Sequence, residues 1–223
     1  FQKDKKNNRK YRLIIAPPFT LLHDFSYRFR NKKIIISAQN SYHKDNFGAY
    51  TGKISPFMIK KMGVDHIIIG HSENRASGDN DKIIKEKVLL ALKNNMNIIF
   101  CIGENSNDKK RKKTLTILKN QIAKVLDKKY NLKKIFIAYE PIWSIGSGKV
   151  LSGSELRKIV IFIKKFIKQK YKLNYNIKFL YGGSVDKNII SNFKSISELD
   201  GFLIGGAFKS SKNFIDIIRN FYK

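Results

Sequence analysis

The stretch that decides the fold is residues 134–149, which read KIFIAYEPIWSIGSGK. An apolar run with isoleucine and aromatic residues leads directly to Glu140 and Pro141, and a glycine-rich segment follows. A short apolar run that ends at proline and glycine is typical of a buried strand followed by a loop. In sheets of parallel strands, chemistry sits at the carboxyl ends of the strands. Glu140 is therefore a candidate catalytic residue.

Outward from this stretch, short apolar runs alternate with longer segments of helical period. Six further runs are predicted to be strands: Arg12–Ala16, Lys33–Ala38, His66–Gly70, Asn97–Ile102, Ile177–Tyr181 and Gly201–Ile204. Amphipathic helices are predicted over Lys82–Asn94, Thr114–Lys129 and Glu155–Lys170, the last with an N-cap in residues 152–155. Strand followed by helix, repeated, predicts an α/β fold with a parallel sheet. Without a linker-like segment, residues 1–223 are expected to form one domain, either a closed barrel or a doubly wound open sheet.

Several predicted strands end in residues suited to chemistry. The strand at 66–70 leads into His71, and two later strands lead into the glycine-rich turns 182–184 and 205–206. A histidine, a carboxylate and three glycine-rich turns on one rim suggest proton transfer on a small anion that backbone N–H groups hold.

The sequence does not match a nucleotide-binding motif or the spacing of metal ligands. Residues 146–149 look superficially like a P-loop, but Trp143 stands where the first glycine is required and Val150 where Ser or Thr is required. The remaining histidines show no metal-ligand spacing, and they are His23, His43 and His66. We therefore expect no cofactor and no metal.

The motif segments closely resemble the triosephosphate isomerase family, in order and spacing, from about Tyr11 onward. They are Ala16–Phe19, Ser37–Asn40, Gly48–Gly52, Ile69–Glu73, Cys101–Glu104, Ala138–Lys149, Leu180–Ser184 and Gly201–Gly206. The resemblance implies a TIM (β/α)8 barrel. It implies an enzyme of glycolysis and gluconeogenesis that interconverts dihydroxyacetone phosphate and glyceraldehyde 3-phosphate through an enediolate.

The resemblance also implies residue roles. Glu140 would move the proton, and a neutral His71 would donate a hydrogen bond to the substrate carbonyl, because the dipole of a helix that begins there disfavours imidazolium. The lid Pro141–Lys149 would close over the substrate and desolvate the base. The phosphate-binding residues would be Gly146, Ser184, Gly205 and Gly206, and the supporting residues would be Glu73 and Cys101.

Two features depart from the family pattern. The family's first strand carries an Asn-x-Lys motif that has no counterpart in these 223 residues. We therefore expect an N-terminally incomplete barrel, and little activity from a chain that truly lacks this strand. The resemblance also implies a homodimer built on Thr51 and its loop. Lys53 and Asn74 stand where the family has an acid and a base, so an ion pair across that interface is expected to be missing.

The formal net charge is +28, from 45 Lys and Arg against 17 Asp and Glu. This charge raises an alternative function, a catalytically impaired barrel relic that binds nucleic acid. The basic residues are spread over nearly every polar segment, however, and only Lys109–Lys113 is a dense tract. That scatter favours compositional drift towards lysine, isoleucine and asparagine, so we expect no nucleic-acid partner. The charge would still attract an anionic substrate.

The cellular setting is suggested by cysteine usage and hydropathy. Cys101 is the single cysteine and cannot form an internal disulfide, which favours a reducing compartment. No run approaches the ~20 apolar residues of a membrane span. We therefore expect a cytoplasmic protein with no membrane partner.

Overall fold

The computed structural model describes residues 11–44 and 47–222. These residues form two compact units. The first runs to Ile69 and also takes in Glu86–Ile98, and the second takes in Gly70–Lys85 and everything from Ile99 onward. That residues 1–223 make one barrel domain stays a prediction.

The first unit consists of parallel strands joined by helices. Its elements are β1 (Leu13–Ile15), α1 (Phe19–Phe29), β2 (Ile34–Ala38), α2 (Pro56–Lys61) and β3 (His66–Ile69). Strand β1 pairs with β2 and β2 pairs with β3, both in parallel. All four residues of β3 are buried, as expected of a strand that is covered on both faces.

The second unit repeats this order and contains the predicted rim residues. Helix α4 (Asp81–Lys93) and strand β4 (Asn97–Ile102) begin in one unit and end in the other. The remaining elements are α3 (Ser72–Ala76), α5 (Ser106–Lys110), α6 (Thr114–Val125), β5 (Ile135–Tyr139), α7 (Gly153–Lys170), β6 (Lys178–Tyr181), β7 (Gly201–Phe202) and α8 (Ser211–Tyr222), with three short 3-10 helices. Strands β4 to β7 lie side by side in chain order, and the pairs β5–β6 and β6–β7 are parallel.

The predicted strands are confirmed within one or two residues at each end. The seven strands of the described residues coincide with the seven apolar runs. The predicted N-cap of α7 is confirmed too, because the Ser152 hydroxyl accepts the N–H of Glu155 at 3.2 Å.

Helix α6 ends four residues earlier than the sequence predicted. The helix stops because Leu126 turns to an extended conformation, with ψ at 147°, and its side chain is buried. The Tyr171 hydroxyl donates to the carbonyls of Ile122 at 3.4 Å and Leu126 at 3.3 Å. Burial of Leu126 and the contact from Tyr171 thus hold the chain in an extended conformation where the helix ends.

Aromatic rings fill the core of the second unit. Tyr139, Phe179, Tyr181 and Phe193 are fully buried, with ring centroids 6.3 Å apart for Tyr139 and Tyr181 and 5.0 Å apart for Tyr181 and Phe193. This packing fixes the carboxyl ends of β5 and β6, where the predicted site residues begin. Within the described residues, no helix is long and apolar enough to cross a membrane.

Candidate active site

Glu140 directly follows β5, and its side chain is only 3 % exposed. Its backbone N–H donates to the carbonyl of Ile102 at 2.8 Å, which extends the contact between β4 and β5 by one residue. Gly103 lies against this segment so closely that a Cβ there would stand 1.8 Å from the carbonyl oxygen of Glu140. Only glycine at position 103 therefore allows these two segments to lie close enough together to bury the Glu140 carboxylate.

The carboxylate of Glu140 contacts three other residues. Its Oε1 lies 3.1 Å from Nε2 of His71, and its Oε2 accepts the backbone N–H of Ser72 at 3.2 Å. Burial is the main cause that raises the pKa of the Cys101 thiol well above its usual range, and the negative charge and hydrogen bond of Glu140 add to this effect. The neutral thiol therefore packs beside the Glu140 carboxylate. Sequence reasoning missed Ser72, because a backbone N–H leaves no signal in residue type.

His71 is the N-cap of α3, as the sequence predicted for a helix start. Its Nδ1 accepts the N–H of Glu73 at 3.4 Å, so the single proton of the neutral ring is on Nε2, which faces Glu140. The hydrogen bond to Glu140 raises the pKa of His71, burial opposes that rise, and the charges of Glu140 and Glu73 add to it. The Glu73 side chain itself is 89 % exposed, with Oε2 3.8 Å from Nδ1.

A second buried carboxylate, Glu104, follows β4 and contacts the start of the lid. It is 1 % exposed and accepts the Tyr139 hydroxyl at 3.1 Å and the Trp143 indole N–H at 2.8 Å. Burial raises the pKa of Glu104, and these hydrogen bonds and the charge of Lys109 oppose the rise. The Lys109 ammonium lies 5.2 Å from the centroid of the Trp143 ring and pairs with Glu155. The motif Cys101–Glu104 contained this residue, but sequence reasoning gave it no role.

The lid contains a buried serine near its front, and its tip is exposed. Ser144 is 0 % exposed. Its hydroxyl donates to the carbonyl of Lys149 at 2.6 Å, a bond that joins the front of the lid to its last residue. Gly146 and Gly148 at the tip have positive φ angles of 66° and 70° and are exposed. Glycine suits both positions, since other residues rarely adopt this conformation.

The predicted phosphate-binding residues differ in their surroundings. Ser184 is bonded to the lid: its N–H donates to the Ser144 hydroxyl at 3.3 Å and its hydroxyl donates to the Ser144 carbonyl. Gly146, Gly205 and Gly206 are exposed, and a Cβ at any of them would meet nothing within 4 Å. Their backbones are therefore open to a ligand on the side where a side chain would stand.

The structure brings His71, Glu140 and Cys101 into contact, and it links Ser184 to the lid. Thr51 belongs to the first unit, where it is exposed. Among residues 11–44 and 47–222, no group of three His, Cys, Asp or Glu side chains could hold a metal ion. What this arrangement can do chemically is move a proton between a buried carboxylate and a ligand, next to an imidazole N–H donor.

Comparisons with known proteins identify the family of this chain. A family model described as triosephosphate isomerase matches residues 1–221. The triosephosphate isomerase of Thermodesulfovibrio yellowstonii is 38 % identical over 92 % of this chain and 84 % of its own length. That of Borrelia garinii subsp. bavariensis is 37 % identical over 93 % of this chain and 84 % of its own length.

A solved structure shares the fold. The crystal structure of triosephosphate isomerase from Bartonella henselae superposes with a TM-score of 0.85 at 32 % identity, covering 94 % of this chain and 86 % of that one. The barrel fold class inferred from the motifs is thereby confirmed. By family model, sequence identity and fold, this chain belongs to the triosephosphate isomerase family.

Proposed function

We propose that this chain interconverts dihydroxyacetone phosphate and glyceraldehyde 3-phosphate with Glu140 as the base and His71 as the hydrogen-bond donor. The observation that carries the proposal is the buried Glu140 carboxylate, 3.1 Å from Nε2 of a histidine at the N-cap of a helix. Glu140 takes a proton from the carbon beside the substrate carbonyl and returns it to the neighbouring carbon. The intermediate is an enediolate. Because the carbonyl and the hydroxyl exchange places, the hydroxyl proton also passes from one substrate oxygen to the other, and Nε2 of His71 is the group that faces these oxygens in the proposed complex.

The Glu140 carboxylate is held in a resting position. Its Oε2 accepts the Ser72 N–H, and its Oε1 accepts from His71. A triose in the site replaces these contacts, because its carbonyl oxygen takes the Nε2–H of His71 and its C–H group faces the carboxylate. The sequence suggested that lid closure desolvates the base. In the ligand-free chain the side chain is already 3 % exposed, so closure mainly excludes water from the substrate.

His71 acts as a neutral donor in this mechanism. The Glu73 N–H that bonds Nδ1 opposes protonation at that nitrogen, and burial opposes the charged ring. Glu140 is the main influence that raises the His71 pKa, and a substrate that separates the two groups weakens it. The imidazole therefore becomes a better neutral donor when substrate binds, and it stabilises negative charge on the enediolate oxygen.

The phosphate of the substrate binds to backbone N–H groups. The groups are those of Gly146, Gly205 and Gly206, which are exposed residues with open space where a side chain would stand, and that of Ser184. Backbone N–H groups suit a phosphate because several can converge on it without a side chain between. The formal charge of +28 favours the approach of a dianionic triose.

Assembly and location complete the proposal. The protein is a homodimer that uses the loop around Thr51, and it works in the cytoplasm as a glycolytic and gluconeogenic enzyme. The loop residues 48–53 are exposed, and the Lys53 ammonium lies 5.7 Å from the centroid of the Tyr42 ring. Sedimentation at micromolar concentration tests the dimer, and a monomer alone would refute it.

A coupled isomerase assay on the native protein tests the reaction. Replacing Glu140 with Gln keeps the shape and removes the base, so kcat should fall about a thousandfold. Replacing His71 with Gln should lower kcat about a hundredfold, because the donor is displaced from the enediolate. A parent protein without isomerase activity, or a Glu140→Gln variant as fast as the parent, would refute the proposal.

A further inference from the structure

Ser144 connects the lid to the loop that follows β6. Its hydroxyl proton is donated to the carbonyl of Lys149 at 2.6 Å, and the same oxygen accepts the N–H of Ser184 at 3.3 Å. The Ser144 carbonyl accepts the Ser184 hydroxyl. Ser144 is 0 % exposed, so water cannot replace these partners in the ligand-free chain.

This contact uses a group that the phosphate also needs. The Ser184 N–H carries one proton, and it cannot donate a good hydrogen bond to the Ser144 hydroxyl and to a phosphate oxygen at the same time. A hydrogen bond to a charged oxygen is shorter than one to a neutral hydroxyl and about twice as strong. The existing bond is long, at 3.3 Å. A phosphate that reaches Ser184 therefore displaces Ser144.

We propose that the Ser144 hydroxyl occupies the phosphate-binding N–H of Ser184 in the ligand-free protein, so that phosphate binding releases the front end of the lid. Ser144 is thus a positioning residue that couples occupation of the anion site to movement of the lid. The inference rests on the proposed function, because it requires Ser184 to bind the substrate phosphate.

The rest of the lid is built for such a release. Residues 145–149 are exposed. The Ser147 hydroxyl donates to the carbonyls of Trp143 and Ser144 and accepts the N–H of Lys149, so these bonds lie within the lid. The bond from Ser144 to Lys149 also lies inside the lid and survives the exchange. The lid can therefore keep its internal structure while its link to Ser184 is replaced.

Ser144→Ala tests the inference, because it removes the competing hydroxyl and almost no volume. The matched control is Ser191→Ala, which removes an exposed serine hydroxyl outside the lid that donates to the carbonyl of Asn188. Inorganic phosphate is the probe, and the NMR amide resonance of Ser184 reports binding at this site and not elsewhere on the basic surface. Phosphate should bind Ser144→Ala about threefold to tenfold more tightly than the parent, which matches the net strength of one neutral hydrogen bond. The dissociation constant of Ser191→Ala should equal that of the parent.

Further measurements distinguish the inference about Ser144 from the proposed phosphate site. Without ligand, the Ser184 amide should exchange with solvent faster in Ser144→Ala than in the parent, and phosphate should restore protection in both. Trp143, the one tryptophan of the chain, adjoins Ser144, and its fluorescence should change on phosphate binding less in Ser144→Ala than in the parent. Equal or weaker phosphate binding by Ser144→Ala would overturn the inference. A parent whose Ser184 resonance ignores phosphate would instead overturn the proposed phosphate site.

Discussion

The glycines of the two halves of the candidate site differ in what surrounds them. At the catalytic half, a Cβ on Gly103 would stand 1.8 Å from the Glu140 carbonyl, and a Cβ on Gly182 would stand 3.0 Å from Cγ of Glu140. At the phosphate half, a Cβ on Gly146, Gly205 or Gly206 would meet nothing within 4 Å. The first two glycines are required by the protein itself, and the other three leave room for something that is not part of the chain.

This difference indicates that the two halves of the candidate site have different roles. At the catalytic half, contacts with His71 and Ser72 hold the Glu140 carboxylate, and substrate replaces these contacts in the proposed mechanism. The candidate phosphate half has three exposed glycines, and Ser144 of the lid accepts the N–H of Ser184. Close packing at Gly103 and Gly182 limits where Glu140 can lie, whereas an open anion site allows the ligand to enter.

The largest effect is expected where the catalytic half is crowded. Gly103→Ala would drive a methyl group into the Glu140 carbonyl, which must shift and carry the base with it. We expect a loss of about 3 kcal/mol in unfolding free energy and a melting temperature lower by about 10 °C. Isomerase activity should be nearly lost. Thermal unfolding measured by circular dichroism, with activity alongside, would contradict the comparison if it matched the parent.

A smaller effect is expected of Glu140→Asp, which keeps the carboxylate and retracts it by one methylene group. The fold should be nearly unaffected, because only one methylene group is removed. We expect kcat to fall about a hundredfold, since a misplacement of about 1 Å removes that much from a positioned reaction. Steady-state kinetics measure this loss, and a kcat within twofold of the parent would show that the position of the base is not critical.

In the open half, Gly205→Ala should separate binding from stability. The methyl group meets no protein atom, so the melting temperature should equal that of the parent. The same methyl group would stand where a phosphate approaches the backbone, and we expect KM to rise about tenfold through loss of a charge-assisted hydrogen bond. A lower melting temperature with an unchanged KM would reverse the assignment of this glycine.

The smallest effect concerns protonation at the catalytic half. Glu140 raises the His71 pKa above its ordinary value of 6.5, so the charged pair stabilises the folded chain below about pH 6.5. That stability is lost as the pH rises through the higher pKa of the folded state. In Glu140→Gln, NMR titration of the His71 ring should give a lower pKa than in the parent. An unchanged pKa would mean that the two groups do not interact in solution.

Much of this molecule could be read from local sequence. Seven apolar runs became seven strands, and Ser152 became the predicted cap of α7, because burial of a strand and capping of a helix depend on residues close together in the chain. Helix α6 was overestimated because its end is decided by Tyr171, a residue 45 positions beyond Leu126. The positions of Glu140 and His71 at strand ends were local signals, and they were found.

The sequence by itself determined the alternation of strands and helices, the carboxylate after β5, and the histidine that caps α3. Only the tertiary structure decided which atoms those residues touch. Ser72 bonds Glu140 across 68 positions, Trp143 bonds Glu104 across 39, and Ser184 bonds Ser144 across 40. The reason is physical: periodicity and burial act over a few residues, whereas a hydrogen bond between distant residues forms only when packed strands fix both partners within about 3 Å.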